Sequence, residues 1–365
     1  MKQYDIILTV TNDLNYDQRM QRICTSLSKV GYNVLLVGRK HTDSAELKPQ
    51  PFKQKRLYCI FRKGFAFYAE YNIRLFIFLF FTPTKAYCAI DLDTILPNLF
   101  ASQLFRKKRV YDAHELFTEQ KEIVTRPAVH RFWLWVERFA VPKFSNGYTV
   151  NHFIQEEFIR RYNVNYGIVR NLPFKKDYPV LEHQEEPFIL YQGAVNEGRS
   201  FETLIPAMKW VNARLIICGK GNMFEEVQRL IAYYKLGNKI ELRGYVAPEE
   251  LKTLTPKARM GLTLFESTGL NQYYSLSNRF FDYIMAGIPQ VCVNYPEYKR
   301  INDVYPVALM IDEVDADTIA KAINNLLDNT ELCNSLQKNT LIAKEELNWE
   351  KEEIKLINYW KSICI

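Results

Sequence analysis

The chain has 365 residues, 48% of them hydrophobic and 24% charged, and a net charge of +7. That length exceeds one ordinary hydrophobic core, so two domains are expected, and the composition excludes a disordered chain. Seven widely spaced cysteines without a C-x-x-C pair argue against a disulfide framework or a zinc site and read as reduced, buried thiols.

The first residues read as strand, loop, helix and strand. Tyr4 to Val10 is apolar, Thr11 to Asn15 forms a turn, Met20, Ile23, Cys24 and Leu27 recur at helical spacing before Gly31, and Tyr32 to Val37 is apolar again. A βαβ order of this kind predicts a parallel sheet with right-handed crossovers and a ligand edge at the strand C-termini. The N-terminus carries no signal-peptide core, and the longest uninterrupted apolar run, Leu75 to Phe81, is too short to span a bilayer, so a cytoplasmic protein is expected.

Charge is unevenly placed. Up to Pro173 there are 26 Lys and Arg against 15 Asp and Glu, a surplus of +11 that leaves −4 for the remainder. Near Arg62, Lys63 and Arg74 the basic half also carries a dense set of aromatic residues, from Phe65 and Phe67 to Phe80 and Phe81. Such a mixture suits an anionic membrane surface, and equally a core helix with a solvated basic face. Nucleic acid is not expected as a partner, because no helix-turn-helix, zinc or RNP-like signature accompanies the charge.

Tyr87 to Ile90 and Val110 to Tyr111 continue the strand pattern, the latter running into DAHELF. After Asn171-Leu172-Pro173, FKKDYPVLEHQEEP mixes charge and proline without apolar periodicity, which marks a linker. The pattern then restarts. Strands are predicted at Phe188–Tyr191, Arg214–Cys218, Lys239–Leu242 and Gly261–Leu264, with a helix carrying Phe201, Leu204, Ile205 and Met208. The expected division is an N-terminal domain over 1–172, a linker over 173–187, a C-terminal domain over 188–345 and a helical tail over 346–365.

Three features of the second half point to an anionic ligand. Gly193-Ala194-Val195-Asn196-Glu197-Gly198-Arg199 follows a strand and opens a helix, so its backbone can approach a diphosphate and Arg199 supplies a fixed charge. Lys220, in the turn after another strand, is expected on the same sheet edge. In Tyr274 to Val291, Ser275 and Ser277 are expected to cap a helix whose apolar face is Phe280, Phe281, Ile284 and Met285, which Gly287 and Pro289 end before a strand at Gln290–Val293. Asp282, one turn in, faces whatever lies beyond the anion; together these residues describe a site for a diphosphate joined to a ribose.

YQGAVNEGRSFETLIPAM, LIICGKGN, IELRGYVAPEEL and SNRFFDYIMAGIPQV resemble the C-terminal domain of the group 1 (family 4) glycosyltransferases of GT-B fold. NDLNYDQRMQRICTSLSKVGYNV, DLDTILP, VYDAHELF and VRNLP are similar to their acceptor domain, in the same order. The resemblance implies an α/β chain of two Rossmann-like domains facing a central cleft. It also implies a nucleotide-diphosphate sugar as donor, a lipid-linked or polysaccharide acceptor as partner, transfer with retention, and no cofactor or metal.

Residue by residue, the resemblance puts Arg199 at the family's diphosphate-binding lysine and Ala194 where an arginine is usual, so that Lys220 or Arg279 would replace a missing cation. Asp282 matches the second acid of the paired-acid motif, the ribose contact; Tyr274 stands in place of the first, and Glu266 is the nearest upstream carboxylate. Gly193, Asn196, Ser275 and Asn278 complete the donor set, and the backbone of Arg243, Gly244 and Tyr245 matches the region that receives the base. His114, after a strand, either contacts the transferred sugar or orients the acceptor, or is structural, with Glu115 as its neighbour. Asn12, Asp17 and Arg19 fall where similar enzymes shape the acceptor pocket, although Asp17 is also a natural helix cap. Asp91 and Asp93 form a D-x-D pair like that of metal-dependent glycosyltransferases of another fold, but the tandem βα pattern favours an acceptor-side role. A nucleotide-sugar 2-epimerase and a non-catalytic sugar-nucleotide or glycan-binding protein are the alternatives.

Overall fold

The computed structural model describes residues 3–42, 44–176, 178, 187–267 and 269–364. The chain forms two compact units, one of residues 1–171 with 352–365 and one of residues 172–351. Residues 177 and 179–186 of the expected linker lie outside the described residues.

The first unit is a seven-stranded parallel sheet. Its strands are β1 (Tyr4–Thr9), β2 (Val34–Lys40), β3 (Lys53–Tyr58), β4 (Thr84–Ile90), β5 (Lys108–Ala113), β6 (Gly147–Thr149) and β7 (Gly167–Ile168), in the order β3-β2-β1-β4-β5-β6-β7. Helices α1 (Gln18–Lys29), α2 (Gly64–Phe81), α3 (Ile95–Leu104), α4 (Lys121–Val124), α5 (Pro127–Ala140) and α6 (His152–Tyr162) make the connections. Ile6, Ile7 and Leu8 on β1 are all fully buried, as a strand covered on both faces requires. β3, KQKRLY, is one of the two edge strands; its lysines suit an edge and hide it from any apolar pattern.

α2 departs from the sequence expectation. Glu70, Asn72 and Arg74 interrupt its apolar run, yet the helix spans 18 residues and is long and apolar enough to cross a membrane by length and composition. Here Phe67, Tyr71, Leu75 and Leu79, four residues apart, pack into the core against Ile7, Leu35 and Val37.

The second unit has β8 (Phe188–Gln192), β9 (Arg214–Cys218), β10 (Ile240–Gly244), β11 (Met260–Thr263), β12 (Gln290–Val293) and β13 (Ala308–Ile311), parallel in the order β10-β9-β8-β11-β12-β13. Its helices are α7 (Phe201–Ala207), α8 (Phe224–Tyr233), α9 (Pro248–Leu254), α10 (Leu270–Tyr273), α11 (Asn278–Ala286), α12 (Pro296–Val304), α13 (Ala316–Asp328) and α14 (Thr330–Glu346). Phe280, Phe281, Ile284 and Met285 of α11 are buried, and Gly287 ends the helix in the left-handed conformation at φ 74°. The expected tail from 346 is the helix α15 (Trp349–Cys364), of which residues 352 onward belong to the first unit. There Glu352, fully buried, pairs with Arg170 at 2.9 Å, and the Tyr359 ring meets that of Tyr148.

Candidate functional site

In both sheets the chain order reverses beside the central strand: β1 lies between β2 and β4, and β8 between β9 and β11. The loops leaving the C-terminal ends of such strands separate, and a ligand crevice opens between them. The expected site residues fall mostly on these loops.

In the second unit, backbone bonds join the loops into one layer. The Gly193 amide donates to the Cys218 carbonyl at 2.9 Å, Val195 to Lys220 at 3.0 Å and Gly219 to Gly244 at 2.7 Å. Asn196 accepts from the Asn222 amide at 3.1 Å, so its side chain ties loop to loop. Gly219 is obligatory here, because a Cβ would stand 1.8 Å from the Gly193 carbonyl oxygen. On the other side of β8, the Glu266 amide and the Gln272 side chain both donate to the Gly198 carbonyl, at 3.1 and 2.7 Å.

Two guanidinium groups meet in this layer. Arg199 lies over the Phe265 ring at 4.5 Å, and Arg279 lies over the same ring at 4.9 Å and over Tyr191 at 4.2 Å. Gly193 leaves space beside Arg279, whose guanidinium is 3.8 Å from where a Cβ would be. Arg279 is buried, its Nη1 has no hydrogen-bond partner, and it makes no ion pair among the described residues. A cation withdrawn from water is costly unless an anion compensates it, so this arrangement is built for an anionic ligand. Lys220 is exposed on the loop after β9, its Cε 3.5 Å from where a Gly244 Cβ would stand.

Other expectations for this unit are corrected. Ser277 stands at the N-cap of α11 but makes no side-chain capping bond, its amide donating to the Tyr298 hydroxyl at 2.9 Å, and the Ser275 hydroxyl donates instead to the Gln272 carbonyl at 2.8 Å. Tyr274 terminates the short helix α10, which the sequence pattern does not signal. Asn278 is the first residue of α11. Asp282 accepts from the Gln192 side chain at 3.3 Å and faces Lys176 at 3.7 Å, which places it at the end of β8. The Arg243 side chain is engaged by Glu241 at 2.7 Å, so only its backbone is offered, and Tyr245 is exposed.

The first unit gathers acids and an imidazole. Asp91, directly after β4, adopts φ 56° and ψ 174°, a region that residues other than glycine occupy only under strain of about 1–3 kcal/mol. Its amide is held by the Asp112 carbonyl at 3.0 Å. The carboxylate meets His114 Nδ1 at 3.2 Å, and ligand atoms of Asp91, His114 and Glu115 all lie within 4.8 Å of one another. Burial, with the charges of Glu115, Asp93 and Asp112, pushes Asp91 well above the usual carboxylate range. Burial and then Arg19 depress His114 to about 3, so it is a neutral imidazole near pH 7. This trio has the donors and spacing that a divalent cation takes.

Asp93 turns away from that trio. It accepts from the Thr11 hydroxyl at 2.5 Å and, being buried, is raised to about 7 against that bond. The D-x-D pair therefore does not act as one chelate. Arg19, expected in an acceptor pocket, points inward instead: it pairs with fully buried Asp112 at 2.8 Å and donates to the Val169 carbonyl. Asp17 caps α1 through the Met20 amide and accepts from the Asn12 side chain, both at 3.0 Å. Glu115 accepts from the Gln120 side chain.

Two tandem parallel-sheet units with a cation-lined crevice in the second define a GT-B protein of Rossmann-like halves. Residues 174–341 match the family model described as glycosyl transferases group 1. The matched stretch is most of the second unit, which is therefore similar to the group 1 glycosyltransferases. The fold of the chain is similar to sucrose-phosphate synthase from Thermosynechococcus elongatus, at 17% identity and TM-score 0.80 over 99% of each chain. It is also similar to HepE of Anabaena solved with UDP-glucose, at 12% identity and TM-score 0.77 over 98% of this chain and 100% of that one. WaaG, a glycosyltransferase involved in lipopolysaccharide biosynthesis, matches at 13% identity and TM-score 0.71 over 96% and 99%. No curated protein sequence matches the chain.

Proposed function

We propose that the chain moves a hexose from a nucleoside diphosphate sugar to a lipid-linked or polysaccharide hydroxyl, with retention at the anomeric carbon and without a resident metal. The observation that carries this reading is the buried Arg279 guanidinium, without an ion pair among the described residues, sharing the Phe265 ring with Arg199. When the glycosyl–oxygen bond breaks, negative charge grows on the departing diphosphate. Arg199, Arg279 and Lys220 neutralise it, and because the loop layer already fixes the first two, little reorganisation is needed. Asp282 accepts hydrogen bonds from the ribose hydroxyls, in exchange for its bond from Gln192. Glu266, after β11, is the carboxylate for the sugar hydroxyls in place of the acid that Tyr274 lacks.

In the first unit, neutral His114, its Nδ1 3.2 Å from the Asp91 carboxylate, offers a hydrogen bond to the acceptor hydroxyl. Asn12 and Glu115 complete that polar surface. Glycan assembly at the cell surface fits this acceptor class, and the likeness to WaaG supports it. HepE was solved with UDP-glucose, which makes this the first donor to test. Calorimetric titration of the chain with UDP-glucose, GDP-mannose and free nucleoside diphosphates should show binding of one base class. At 100 times its Kd that donor should raise stability by about 2.7 kcal/mol. Absence of binding by every nucleoside diphosphate and sugar derivative would overturn the reading, and epimerised sugar formed from donor alone would replace transfer.

A further inference from the structure

We propose that the outer faces of α2, α3 and α5 together form a docking surface for an anionic lipid bilayer. α2 carries two opposite apolar stripes. Phe67, Tyr71, Leu75 and Leu79 are buried, whereas Ile73, Ile77 and Phe81, again four residues apart, are 61%, 52% and 67% exposed. A surface helix ordinarily turns polar groups outward, and an exposed apolar stripe of this length marks an interaction site.

Neighbouring helices extend the stripe. Phe65 of α2 meets Phe132 of α5 edge-on at 5.6 Å, Trp135 stacks on Phe139 at 5.7 Å, and Phe139 reaches Phe100 of α3 at 6.5 Å. At the far end, Phe80 of α2 contacts Phe105, just beyond α3, at 5.4 Å. Phe65, Leu104 and Trp135 are 70%, 57% and 58% exposed, so the three helices present one continuous aromatic surface.

The charges at its border choose the occupant. Arg62 and Lys63 immediately precede α2, Arg106 follows α3, Arg126 precedes α5, and Arg131 and Arg138 flank the Phe132–Trp135–Phe139 stripe. All six are exposed, and none makes an ion pair among the described residues. A second copy of the chain docked through the same face would set these cations against one another. An anionic bilayer satisfies both parts: the aromatic side chains enter the boundary between headgroups and acyl chains, and the rim meets lipid phosphates. Because the inner stripe of α2 is committed to the core, the helix lies on the membrane rather than crossing it.

The test is flotation of the full chain with vesicles of phosphatidylcholine alone and of phosphatidylcholine mixed with phosphatidylglycerol. The chain should float with the mixed vesicles and not with phosphatidylcholine, and Trp135 emission should shift to the blue relative to a Trp135→Phe control. Arg131→Gln and Arg138→Gln should each weaken binding about fivefold. Ile77→Ser combined with Phe81→Ser should weaken it at least about tenfold, and all these positions are exposed. Failure of the wild-type chain to float, or flotation of the Ile77→Ser/Phe81→Ser variant equal to wild type, would overturn the proposal. So would a wild-type dimer that this variant dissolves, with no vesicle binding.

Discussion

The two crevices share a topology and oppose one another chemically. In the second unit the reversal beside β8 collects two guanidinium groups around one phenylalanine; in the first, the reversal beside β1 collects Asp91, Glu115 and a neutral His114. One crevice wants negative charge and the other is short of water around acids. On the proposed function the same sheet edge supplies a phosphate site or a hydroxyl-binding site according to which side chains its loops carry, and the fold alone assigns neither.

The largest test of this contrast removes the cation. Arg279→Met keeps an unbranched side chain over Tyr191 and Phe265 but deletes the charge. Turnover at saturating donor should fall about 10²–10³-fold, the usual cost of losing one stabilising group for a leaving oxyanion. The unliganded protein should melt at the same temperature or higher, because a buried charge without a counter-charge is a liability to the folded state. A lower melting temperature with normal turnover would make Arg279 structural and erase the contrast.

Much of the second unit was legible because its strands are apolar runs bounded by glycine, and Arg214–Cys218 and Gln290–Val293 fall where periodicity puts them. The polar edge strand β3 and the short β6 and β7 were not, since edge exposure and two- or three-residue length leave no period to detect. For the site, loop positions were readable and side-chain directions were not. Arg19 and Arg279 look alike in sequence, each an arginine at a helix start. Only the fold puts Asp112 beside the first and leaves the second without an ion pair among the described residues. Likewise Asp93 looks like the twin of Asp91 until Thr11, 82 residues earlier, is placed on it.

A smaller effect, on stability, tests the acidic crevice. Asp93 is raised to about 7 by burial and by Glu115, so the folded state holds its proton more tightly than the unfolded chain. Its contribution is complete below about pH 4 and is lost as pH rises through 7. Asp93→Asn should match wild type at pH 4 and be more stable by a few kcal/mol at pH 8, each pKa unit being worth about 1.4 kcal/mol. Thermal melts of both proteins across that range should diverge with rising pH. Parallel curves would show Asp93 ionising freely and the crevice to be wetter than its burial implies.

The smallest expected effect is none, and it decides how far the contrast extends. Asp91, His114 and Glu115 have metal-ligand spacing, and a divalent cation there would give the first unit a positive centre like that of the second. The charge states argue otherwise. Burial favours the protonated form of Asp91, and a cation would have to displace that proton and break the Gln120 bond to Glu115. If the neutralising charge for the leaving diphosphate already resides on Arg199, Arg279 and Lys220, chelation should change nothing. Transfer rates measured after dialysis against EDTA should therefore equal those with added Mg²⁺ or Mn²⁺. A rate that collapses in EDTA, returns with Mn²⁺ and fails to return in Asp91→Asn would make the first unit a metal centre and the two crevices electrostatic equals.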